Sequence, residues 1–405
     1  MPGGRTPGAD VRPRAHPDVL HAVQPGDGGV ARVVTDLVRG QLAAGLRVAV
    51  ACPPGTELAA AVRAEGADAY DWRAGRDPGP RLVRETRDLS RLVRTVRPAL
   101  VHAHSAKAGL CARLALRGRV PTVYQPHAWS FEAVEGTTAA LALRWERWAA
   151  RWSAAVLCVS DAERRTGETA GVRARWSVVH NGVDTTRFAP PEPGDDLPAV
   201  PVRGGPEGPP AAGAGEAPSG PLVVCVGRLC RQKGQDVLLD AWASVLARVP
   251  GARLVLVGDG PEAERLRAAA PPSVRFTGAV ADPAPWYRAA DVVVLPSRWE
   301  GMALAPLEAM ASGRPVVVTD VDGARESLPP GHVEPCLVPP EDPTALAAAL
   351  GRLLGRPELR HSLGREAREH VLSRFDVRRT GAAVAELYRE MAGVRCTEHR
   401  EPIAQ

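Results

Sequence analysis

The chain has 405 residues, of which 45% are hydrophobic and 24% are charged, and this length suggests two or three globular domains. The net charge of +5 is too weak to indicate a nucleic-acid partner, and seven cysteines without a CxxC pair indicate neither a zinc knuckle nor a disulfide framework. No run approaches the ~18 consecutive apolar residues of a membrane span, and residues 1–17 lack an apolar signal segment. We therefore expect a cytoplasmic protein.

The segment 190–221 divides the chain into two halves of similar size. Ten of its 32 residues are Pro and seven are Gly, a composition typical of an extended interdomain linker. The rest of the chain then divides into a disordered tail (1–17), an N-terminal domain (18–189), a C-terminal domain (222–375), a helix that returns to the N-terminal domain (376–392) and a second disordered tail (393–405).

Each half alternates short apolar strands with longer helical patterns. The predicted strands of the N-terminal half are 19–23, 48–52, 100–104, 122–125, 155–160 and 178–180, and those of the C-terminal half are 222–226, 254–257, 274–277, 292–296 and 315–319. Apolar strands that alternate with helices indicate parallel sheets covered on both faces. The sequence thus predicts an α/β fold of two doubly wound domains, with ligands at the carboxyl ends of the strands and in the cleft between the domains.

The first strand leads into a turn that contains Gly28 and Gly29, before a helix predicted over 31–43. Such a turn lets backbone amides approach an anion at the positive end of the helix. A tight turn without a ligand uses the same residues, so both interpretations stay open.

The first turn of the second half is basic. Arg228 and Lys233 follow the strand 222–226, and Lys233 is one of only two lysines among the 51 basic residues. The segment lacks the Walker A pattern, but a planar guanidinium beside a point charge suits two neighbouring phosphates. We expect it to bind a diphosphate; the alternative is a solvated basic loop.

Gly258 and Gly260 lie after the next strand and, with Ala263, fit the dinucleotide fingerprint. A helix is predicted to open with Pro261. A nicotinamide-dependent oxidoreductase is therefore an alternative. However, the motif follows the second strand of its domain, and the next strand ends without a ribose-binding acid. We interpret the motif as a turn that contacts a nucleotide.

Two carboxylates flank another helix start. Glu300 lies in a loop after a buried strand, and Glu308 lies near the first turn of a helix that Pro306 can begin and Gly313 can end. Carboxylates accept hydrogen bonds from vicinal diols, and free amides at a helix start bind phosphate or hydroxyl groups. Those amides belong to Gly301, Met302 and Ala303. The alternative is a capping acid and an unrelated surface Glu.

Four histidines lie near strand ends at the presumed cleft: His102, His104, His127 and His180. His127 is the strongest functional candidate among them. Asp320 and Asp322 form an acidic triplet that occurs by chance, and no cluster has the spacing of a metal site, so no metal is predicted.

Two helical segments carry basic stripes. The first stripe comprises Arg81, Arg84, Arg87, Arg91, Arg94 and Arg97. A solvated face is the commoner explanation, and contact with anionic lipid is the alternative. The second segment places Trp145, Trp148 and Trp152 among arginines. We predict that these Trp side chains pack on the sheet, and the alternative is a face at a membrane interface.

Taken in order, these motifs resemble the family 4 glycosyltransferases, from about Val19 to Met391. The motifs are Gly28-Gly29, His102-x-His104, His127, Asn181 to Asp184, Gly227-Arg228 to Lys233-Gly234, Gly258-Asp-Gly260 and Glu300-x7-Glu308. The resemblance implies the GT-B architecture, in which two Rossmann-like domains face each other across a cleft. It also implies transfer of a sugar from a nucleotide donor with retention at the anomeric carbon. One departure is Asp322-Gly323, where the family usually has two glycines before Glu326.

The resemblance also implies roles for individual residues. Arg228 and Lys233 would neutralise the donor diphosphate, with Gly29 approaching from the other domain, which removes the need for a metal or other cofactor. Glu308 would bind the ribose diol. The residues implied in catalysis are His127, Glu300, Arg228 and Lys233. Those implied in donor binding are Gly28, Gly29, Arg228, Lys233, Gly258, Gly260, Glu300, Gly301, Met302, Ala303 and Glu308.

Within the resemblance, Glu300 would bind hydroxyls of the donor sugar and His127 would lie over that sugar near its anomeric carbon. The donor phosphate would take the proton of the acceptor, so no general base is required.

The N-terminal domain would bind the acceptor, with His104 and His127 as candidates. Residues 1–189 hold 27 Lys and Arg against 18 Asp and Glu, which suits a diphosphate-linked lipid acceptor at the inner membrane face, with peripheral association. We expect a hexose from a UDP-sugar, in exopolysaccharide or cell-surface glycan synthesis. The alternatives are a small acceptor, such as an inositol phosphate or a natural-product aglycone, and a protein that only binds or epimerises nucleotide sugars.

Overall fold

The computed structural model describes residues 16–192 and 220–392. The N-terminal half forms a parallel sheet of seven strands in the order β3-β2-β1-β4-β5-β6-β7. These strands are β1 (Val19–Val23), β2 (Val48–Cys52), β3 (Asp68–Asp71), β4 (Leu100–His104), β5 (Thr122–Gln125), β6 (Ala155–Cys158) and β7 (Trp176–Val178). The helices are α1 (Gly28–Ala43), α2 (Glu57–Ala64), α3 (Leu82–Val96), α4 (Ser105–Leu116), α5 (Gly136–Ala149) and α6 (Asp161–Thr169).

The C-terminal half forms a second parallel sheet, of six strands in the order β10-β9-β8-β11-β12-β13. Its strands are β8 (Leu222–Val226), β9 (Arg253–Val257), β10 (Val274–Phe276), β11 (Val292–Leu295), β12 (Val316–Thr319) and β13 (Leu337–Val338). The helices are α7 (Gln235–Arg248), α8 (Ala263–Ala269), α9 (Ala284–Ala289), α10 (Leu304–Ala311), α11 (Ala324–Ser327), α12 (Val333–Cys336), α13 (Pro343–Leu354), α14 (Pro357–Arg374) and α15 (Val377–Ala392).

Both sheets are doubly wound, as the sequence predicts. The strand order reverses between β1 and β4 in one sheet and between β8 and β11 in the other. Every residue of β1, β2 and β4 is buried, which explains why these strands are largely apolar. In such sheets the crevice beyond the carboxyl ends of the strands, at the reversal, is where ligands bind.

Helix α15 packs on the N-terminal domain, against α1 and β4. An isolated bridge between Val183 and Asp376 leads the chain there. Most of the predicted linker (193–219) and most of the two predicted tails (1–15 and 393–405) lie outside the described residues. Within the described ranges, no helix combines the length and the apolar character needed to cross a membrane.

Several predicted boundaries are wrong. Helix α8 begins at Ala263 and not at Pro261, and α10 begins at Leu304 and not at Pro306, so each proline precedes the helix or lies inside its first turn. The edge strands β3 and β13 were not predicted. In β3, Asp68 and Asp71 are exposed and the two residues between them are partly buried, while β13 has only two residues, so neither strand forms an apolar run.

The two basic stripes differ in their surroundings. Helix α3 buries Leu89 and Val93 and contacts α4, while its arginines are exposed. The prediction that the tryptophans of the second stripe pack on the sheet is wrong for Trp148, which is 48% exposed. Its ring instead packs edge-on against Trp152, with ring centroids 4.2 Å apart.

Candidate functional site

The two domains meet where Gly301, after β11, lies against the backbone of His127, after β5. A Cβ atom added to Gly301 would lie 3.0 Å from the carbonyl carbon of His127, 2.8 Å from Cγ2 of Val159 and 2.9 Å from Oε1 of Glu163. Contacts this close leave no room for a side chain at position 301. The predicted donor-binding loop therefore touches the predicted catalytic histidine directly.

Hydrogen bonds fasten this loop to the N-terminal domain. Oγ of Ser160 donates to the carbonyl of Gly301 at 2.9 Å, and Nδ2 of Asn181 donates to the carbonyl of Met302 at 2.7 Å. Because these bonds use the carbonyls, the amides at the start of α10 are not consumed by them. The loop therefore contacts the N-terminal domain through its carbonyl groups.

Glu326 makes a further contact between the domains. Its carboxylate accepts hydrogen bonds from the amides of Asp161 and Ala162, at 2.8 and 2.7 Å, and so caps the start of α6. His180 lies 3.1 Å from the same carboxylate, and Thr166 donates to Asp322 at 2.8 Å. The segment 322–326, in which the sequence departs from the family pattern, thus joins the two domains here.

Lys233 and Glu300 form an ion pair at the carboxyl edge of the second sheet. Nζ of Lys233 donates to Oε1 of Glu300 at 2.5 Å, and Ser297 donates to the same oxygen at 2.7 Å. Lys233 ends a short 3-10 turn that Gly234 leaves with a φ of 64°. The structure therefore brings two of the predicted catalytic side chains together.

Arg228 lies in the same loop and is half-buried. Its carbonyl accepts a hydrogen bond from Nε2 of Gln235 at 3.0 Å, which fixes the loop. Within residues 16–192 and 220–392, its guanidinium forms no ion pair. Arg228 is thus a cation available to an anionic ligand beside the Lys233–Glu300 pair.

Glu308 lies in the second turn of α10 and is 1% exposed. The hydroxyl of Tyr287 donates to one carboxylate oxygen at 2.7 Å, and Arg32 of α1 forms an ion pair with the other. The charge of Glu308 raises the pKa of Arg32 above its ordinary value. The predicted ribose-binding carboxylate is therefore held by one residue from each domain.

The predicted donor-binding glycines fall into two groups. Gly28 and Gly29 are exposed at the start of α1, and a Cβ atom at either would meet nothing within 4 Å. In contrast, Cβ atoms at Gly258 and Gly260 would lie 2.2 and 2.3 Å from the carbonyls of Gly227 and Leu229. The second pair is required for packing beneath the loop that carries Arg228, while the first pair leaves open space at a helix start.

His127 has a left-handed backbone, with a φ of 59°. This conformation costs a non-glycine residue about 1–3 kcal/mol and is characteristic of functional sites. Its Nε2 atom lies 3.1 Å from Nδ1 of His104, and burial lowers the pKa of His127 to about 3. The imidazole is therefore neutral at physiological pH.

Two groups of side chains place possible metal-ligand atoms within 4.8 Å of one another, namely His21, His102 and His104, and Asp161, His180 and Glu326. In the second group Glu326 already accepts two backbone amides. Both carboxylates of the acidic triplet also have protein partners, because Arg325 pairs with Asp320 and Thr166 donates to Asp322.

Residues 27–187 match the family described as Glycosyltransferase Family 4, and residues 220–356 match the one described as Glycosyl transferases group 1. The chain is 30% identical to D-inositol 3-phosphate glycosyltransferase 2 of Catenulispora acidiphila, over 95% of this chain and 96% of that protein. The chain belongs to glycosyltransferase family 4. This family 4 glycosyltransferase is also 31% identical to the lipopolysaccharide core biosynthesis mannosyltransferase LpcC of Rhizobium leguminosarum, over 61% of this chain and 67% of LpcC.

Among solved structures, the glycosyltransferase resembles Anabaena HepE in complex with UDP and glucose. The TM-score is 0.75, with 23% identity over 92% of this chain and 99% of HepE. This similarity confirms the predicted GT-B fold. The family assignment confirms the prediction of a glycosyl-transferring enzyme and favours it over an oxidoreductase.

Sequence reasoning about this glycosyltransferase missed Arg32, Tyr287 and Glu163. Arg32 stands 276 residues from Glu308 along the chain, and no local pattern marks such a pairing. A signal was available for Glu163, because it follows a Ser N-cap at the end of β6 and occupies the N3 position of a capping box.

Proposed function

We propose that this enzyme transfers a hexose, with retention, from a UDP-sugar to a hydroxyl group of a lipid-linked glycan, and that it needs no metal. The observation that carries the proposal is Arg228, which forms no ion pair within the described residues and shares a loop with Lys233 of the Lys233–Glu300 pair. The loop that carries Glu300 contacts the backbone of His127. A cation pair next to a sugar-binding acid suits a nucleotide-diphosphate sugar.

The diphosphate is the leaving group, and negative charge grows on it as the glycosidic bond breaks. Fixed cations placed where this charge develops lower the barrier without a metal. On donor binding, Lys233 would exchange its contact with Glu300 for a phosphate oxygen, next to Arg228. Glu300, held by Ser297, would then accept hydrogen bonds from hydroxyls of the donor sugar.

The ribose diol would bind Glu308 in place of Arg32. The Tyr287 hydroxyl holds one carboxylate oxygen and leaves the other to Arg32, which reaches it from the N-terminal domain. Separation of the two domains would release Arg32 from Glu308, so donor entry would be coupled to domain opening. The exposed amides at Gly28 and Gly29 offer a second contact for the phosphates.

His127 would contribute at the anomeric carbon, where positive charge develops. A neutral imidazole or the backbone carbonyl stabilises such an oxocarbenium-like centre, whereas an imidazolium would repel it. With retention, the departing phosphate accepts the proton of the acceptor hydroxyl as the new glycosidic bond forms.

Two relatives support different acceptors. The name of LpcC places that enzyme in lipopolysaccharide core synthesis, which favours a lipid-linked acceptor. The relative from Catenulispora acts on D-inositol 3-phosphate, and its match covers nearly the whole chain, so a small phosphorylated acceptor is the second candidate.

A transfer assay tests the donor, the acceptor and the stereochemistry together. UDP-glucose, UDP-galactose and GDP-mannose are each incubated, in EDTA, with an undecaprenyl-diphosphate-linked sugar or with inositol 3-phosphate. We expect an α-linked product from a UDP-sugar and the lipid-linked acceptor. A β-linked product contradicts retention, and transfer only to inositol 3-phosphate supports the second candidate.

We further propose that α5 rests on the anionic membrane that carries the acceptor. Leu141 is 66% exposed and Trp148 is 48% exposed, and both lie among exposed arginines, which is typical of an interfacial helix. Glu135, before the start of α5, pairs with Arg231 of the C-terminal domain at 2.5 Å, so the N-terminal end of this helix adjoins the C-terminal domain.

Sedimentation with phosphatidylglycerol vesicles tests this surface. We expect binding that weakens in high salt and is lost in the double variant Leu141→Ser and Trp148→Ser. Leu372, which is 43% exposed on α14, provides the control Leu372→Ser. Equal sedimentation of both variants contradicts a role for α5.

A further inference from the structure

A continuous chain of hydrogen bonds runs from the cleft into the N-terminal domain, behind His127. Nε2 of His127 lies 3.1 Å from Nδ1 of His104, and Nε2 of His104 lies 2.9 Å from Nδ1 of His21. Nε2 of His21 lies 2.9 Å from Oε1 of Gln41. The chain thus links β5, β4, β1 and α1 through side chains alone.

The far end of this chain lies on helix α15. Nε2 of Gln41 donates to the hydroxyl of Tyr388 at 3.4 Å, and that hydroxyl lies 2.6 Å from Nδ1 of His102. His21, His102 and His104 are completely buried, and Gln41 is 1% exposed. No water-filled space is needed to connect them, because every link is direct.

The orientation of the Gln41 amide sets the positions of the protons along these contacts. With its nitrogen donating to Tyr388, its oxygen accepts from Nε2 of His21. Nδ1 of His21 then accepts from Nε2 of His104, and Nδ1 of His104 accepts from Nε2 of His127. Each of the three rings carries a single proton, and the last free position is Nδ1 of His127.

The electrostatics agree with this proton assignment. Burial lowers the pKa of His21 to about 4 and of His127 to about 3, and it lowers the pKa values of His102 and His104 well below their usual range. The four imidazoles therefore stay neutral together, and none of these rings places a positive charge behind His127.

We propose that Gln41, His21 and His104 are positioning residues that fix His127 as the Nε2–H tautomer, with Nδ1 unprotonated for the reacting sugar. This role depends on the proposed function, in which His127 approaches the anomeric carbon. A ring held in one tautomer offers its lone pair to the sugar in every turnover, whereas a free ring would spend part of its time in the other form. Because the linked imidazoles are neutral, they also place no positive charge beside the anomeric carbon, where positive charge develops.

A metal ion is the competing explanation for three clustered histidines. The rings of His21 and His104 are close to parallel, at 26°, and those of His102 and His104 have centroids only 3.9 Å apart. Rings stacked in this way do not converge on one point, as tetrahedral ligands at ~2.0–2.1 Å from zinc must. The direct 2.9 Å contact between His21 and His104 explains the pair without an ion.

Nitrogen chemical shifts of ¹⁵N-histidine-labelled protein report the tautomer directly, with His127 assigned from the spectrum of His127→Asn. At pH 7 we expect Nε2–H for His127 in the wild type and a mixture of tautomers in Gln41→Met. In Gln41→Glu the carboxylate still accepts from His21, so the single tautomer is expected to be restored. An Nδ1–H form in the wild type, an unchanged tautomer in Gln41→Met, or one zinc ion per chain in the purified protein would overturn the proposal.

The rate of UDP release from UDP-glucose, with water as acceptor, shows whether the tautomer matters. We expect kcat to fall about 10- to 100-fold in Gln41→Met, as for lost partners behind other functional histidines, and to recover in Gln41→Glu, while the affinity for UDP stays within twofold of wild type. Leu37→Ala controls for damage to α1, because Leu37 is buried in the same helix but takes no part in the chain of hydrogen bonds.

Different results would contradict the proposed function and the positioning role of Gln41. A wild-type enzyme with a fixed His127 tautomer and tight UDP binding, but no turnover of any donor, contradicts the proposed function. Loss of the tautomer in Gln41→Met without a change in kcat contradicts the positioning role alone.

Discussion

At the scale of single residues, charge at the cleft is decided by the partners of each side chain. Arg32 and Tyr287 both contact the carboxylate of Glu308, whereas the carboxylate of Glu163 accepts a hydrogen bond from the backbone amide of Val159 at 2.7 Å. Burial raises the pKa of Glu163 to about 8, and the nearby charge of Asp322 adds to the effect. A neutral acid therefore supports the closed loop at Gly301.

Glu163 gives the stability of the enzyme a defined pH dependence. The folded state keeps this proton up to about pH 8, while the unfolded chain releases it near 4.5, so the contribution of Glu163 to the free energy of unfolding falls as the pH rises between these values. The Glu163→Gln variant mimics the protonated side chain. Its free energy of unfolding relative to wild type should rise by about 1.4 kcal/mol per pH unit from pH 5.5 to 7.5.

Denaturant unfolding at the two pH values measures this difference. Glu168, which is exposed on the same helix, provides the control Glu168→Gln, for which we expect no trend. A constant difference between Glu163→Gln and wild type would show that Glu163 is ionised in the folded protein.

Nucleotide affinity should depend on the charge of Glu308. In Glu308→Gln, the ribose diol loses its charged acceptor, and hydrogen bonds to charged groups contribute about 1.5–3 kcal/mol, so we expect UDP to bind about 10- to 100-fold more weakly. Calorimetric titration measures the change, with the exposed Glu358→Gln on α14 as the control. Unchanged binding by Glu308→Gln would remove Glu308 from the donor site.

How far the sequence predicts the site depends on how local each contact is. Lys233, Arg228 and Glu300 lie in loops directly after buried strands, so strand patterns alone indicate that they meet. Arg32 and Gln41 show no such signal, because their partners come from distant segments that only the folded sheets bring near. His21 carried an unused signal, namely a titratable ring inside an otherwise apolar strand.

At the scale of elements, the loop between β11 and α10 performs two tasks. It carries Glu300, which pairs with Lys233. Its Gly301 and Met302 carbonyls accept the hydrogen bonds that attach it to the N-terminal domain. The sequence predicts this loop because a buried strand precedes it and a helix follows. The true start of α10 at Leu304 differs from the prediction because Pro306 occupies the third position of the helix and not its first.

The Gly301→Ala variant tests the contact between this loop and the N-terminal domain. The added Cβ atom would lie 2.8 Å from Val159 and 3.0 Å from the backbone of His127, so the closed contact cannot form without displacement. Because misplacement of reacting groups by about 1 Å can cost about 100-fold in rate, we expect kcat for UDP release to fall by that order while UDP still binds.

Gly331→Ala is the matched control, because a Cβ atom there would meet nothing within 4 Å. Equal kcat values for Gly301→Ala and wild type would show that turnover does not pass through this closed contact.

At the scale of the whole molecule, two sheets of parallel strands face each other, and helix α15 ties the end of the chain to the first domain. Apolar strand runs predict both sheets, because buried parallel strands must be continuous in hydrophobicity. The relation between the domains is not encoded in such runs. It depends on a few polar contacts between the domains, such as those that Asn181 makes with Met302 and Glu326 makes with Asp161.

Calorimetric titration with UDP, GDP and NAD, in EDTA, tests the central claim that Arg228 and Lys233 bind a nucleotide diphosphate without a metal. We predict that the wild type binds UDP, and that Lys233→Ala binds it about 10- to 100-fold more weakly. Binding of GDP in place of UDP would support the diphosphate site but would indicate a GDP-sugar as the donor. Binding of NAD, binding that requires a divalent ion, or equal affinity in Lys233→Ala would contradict the account.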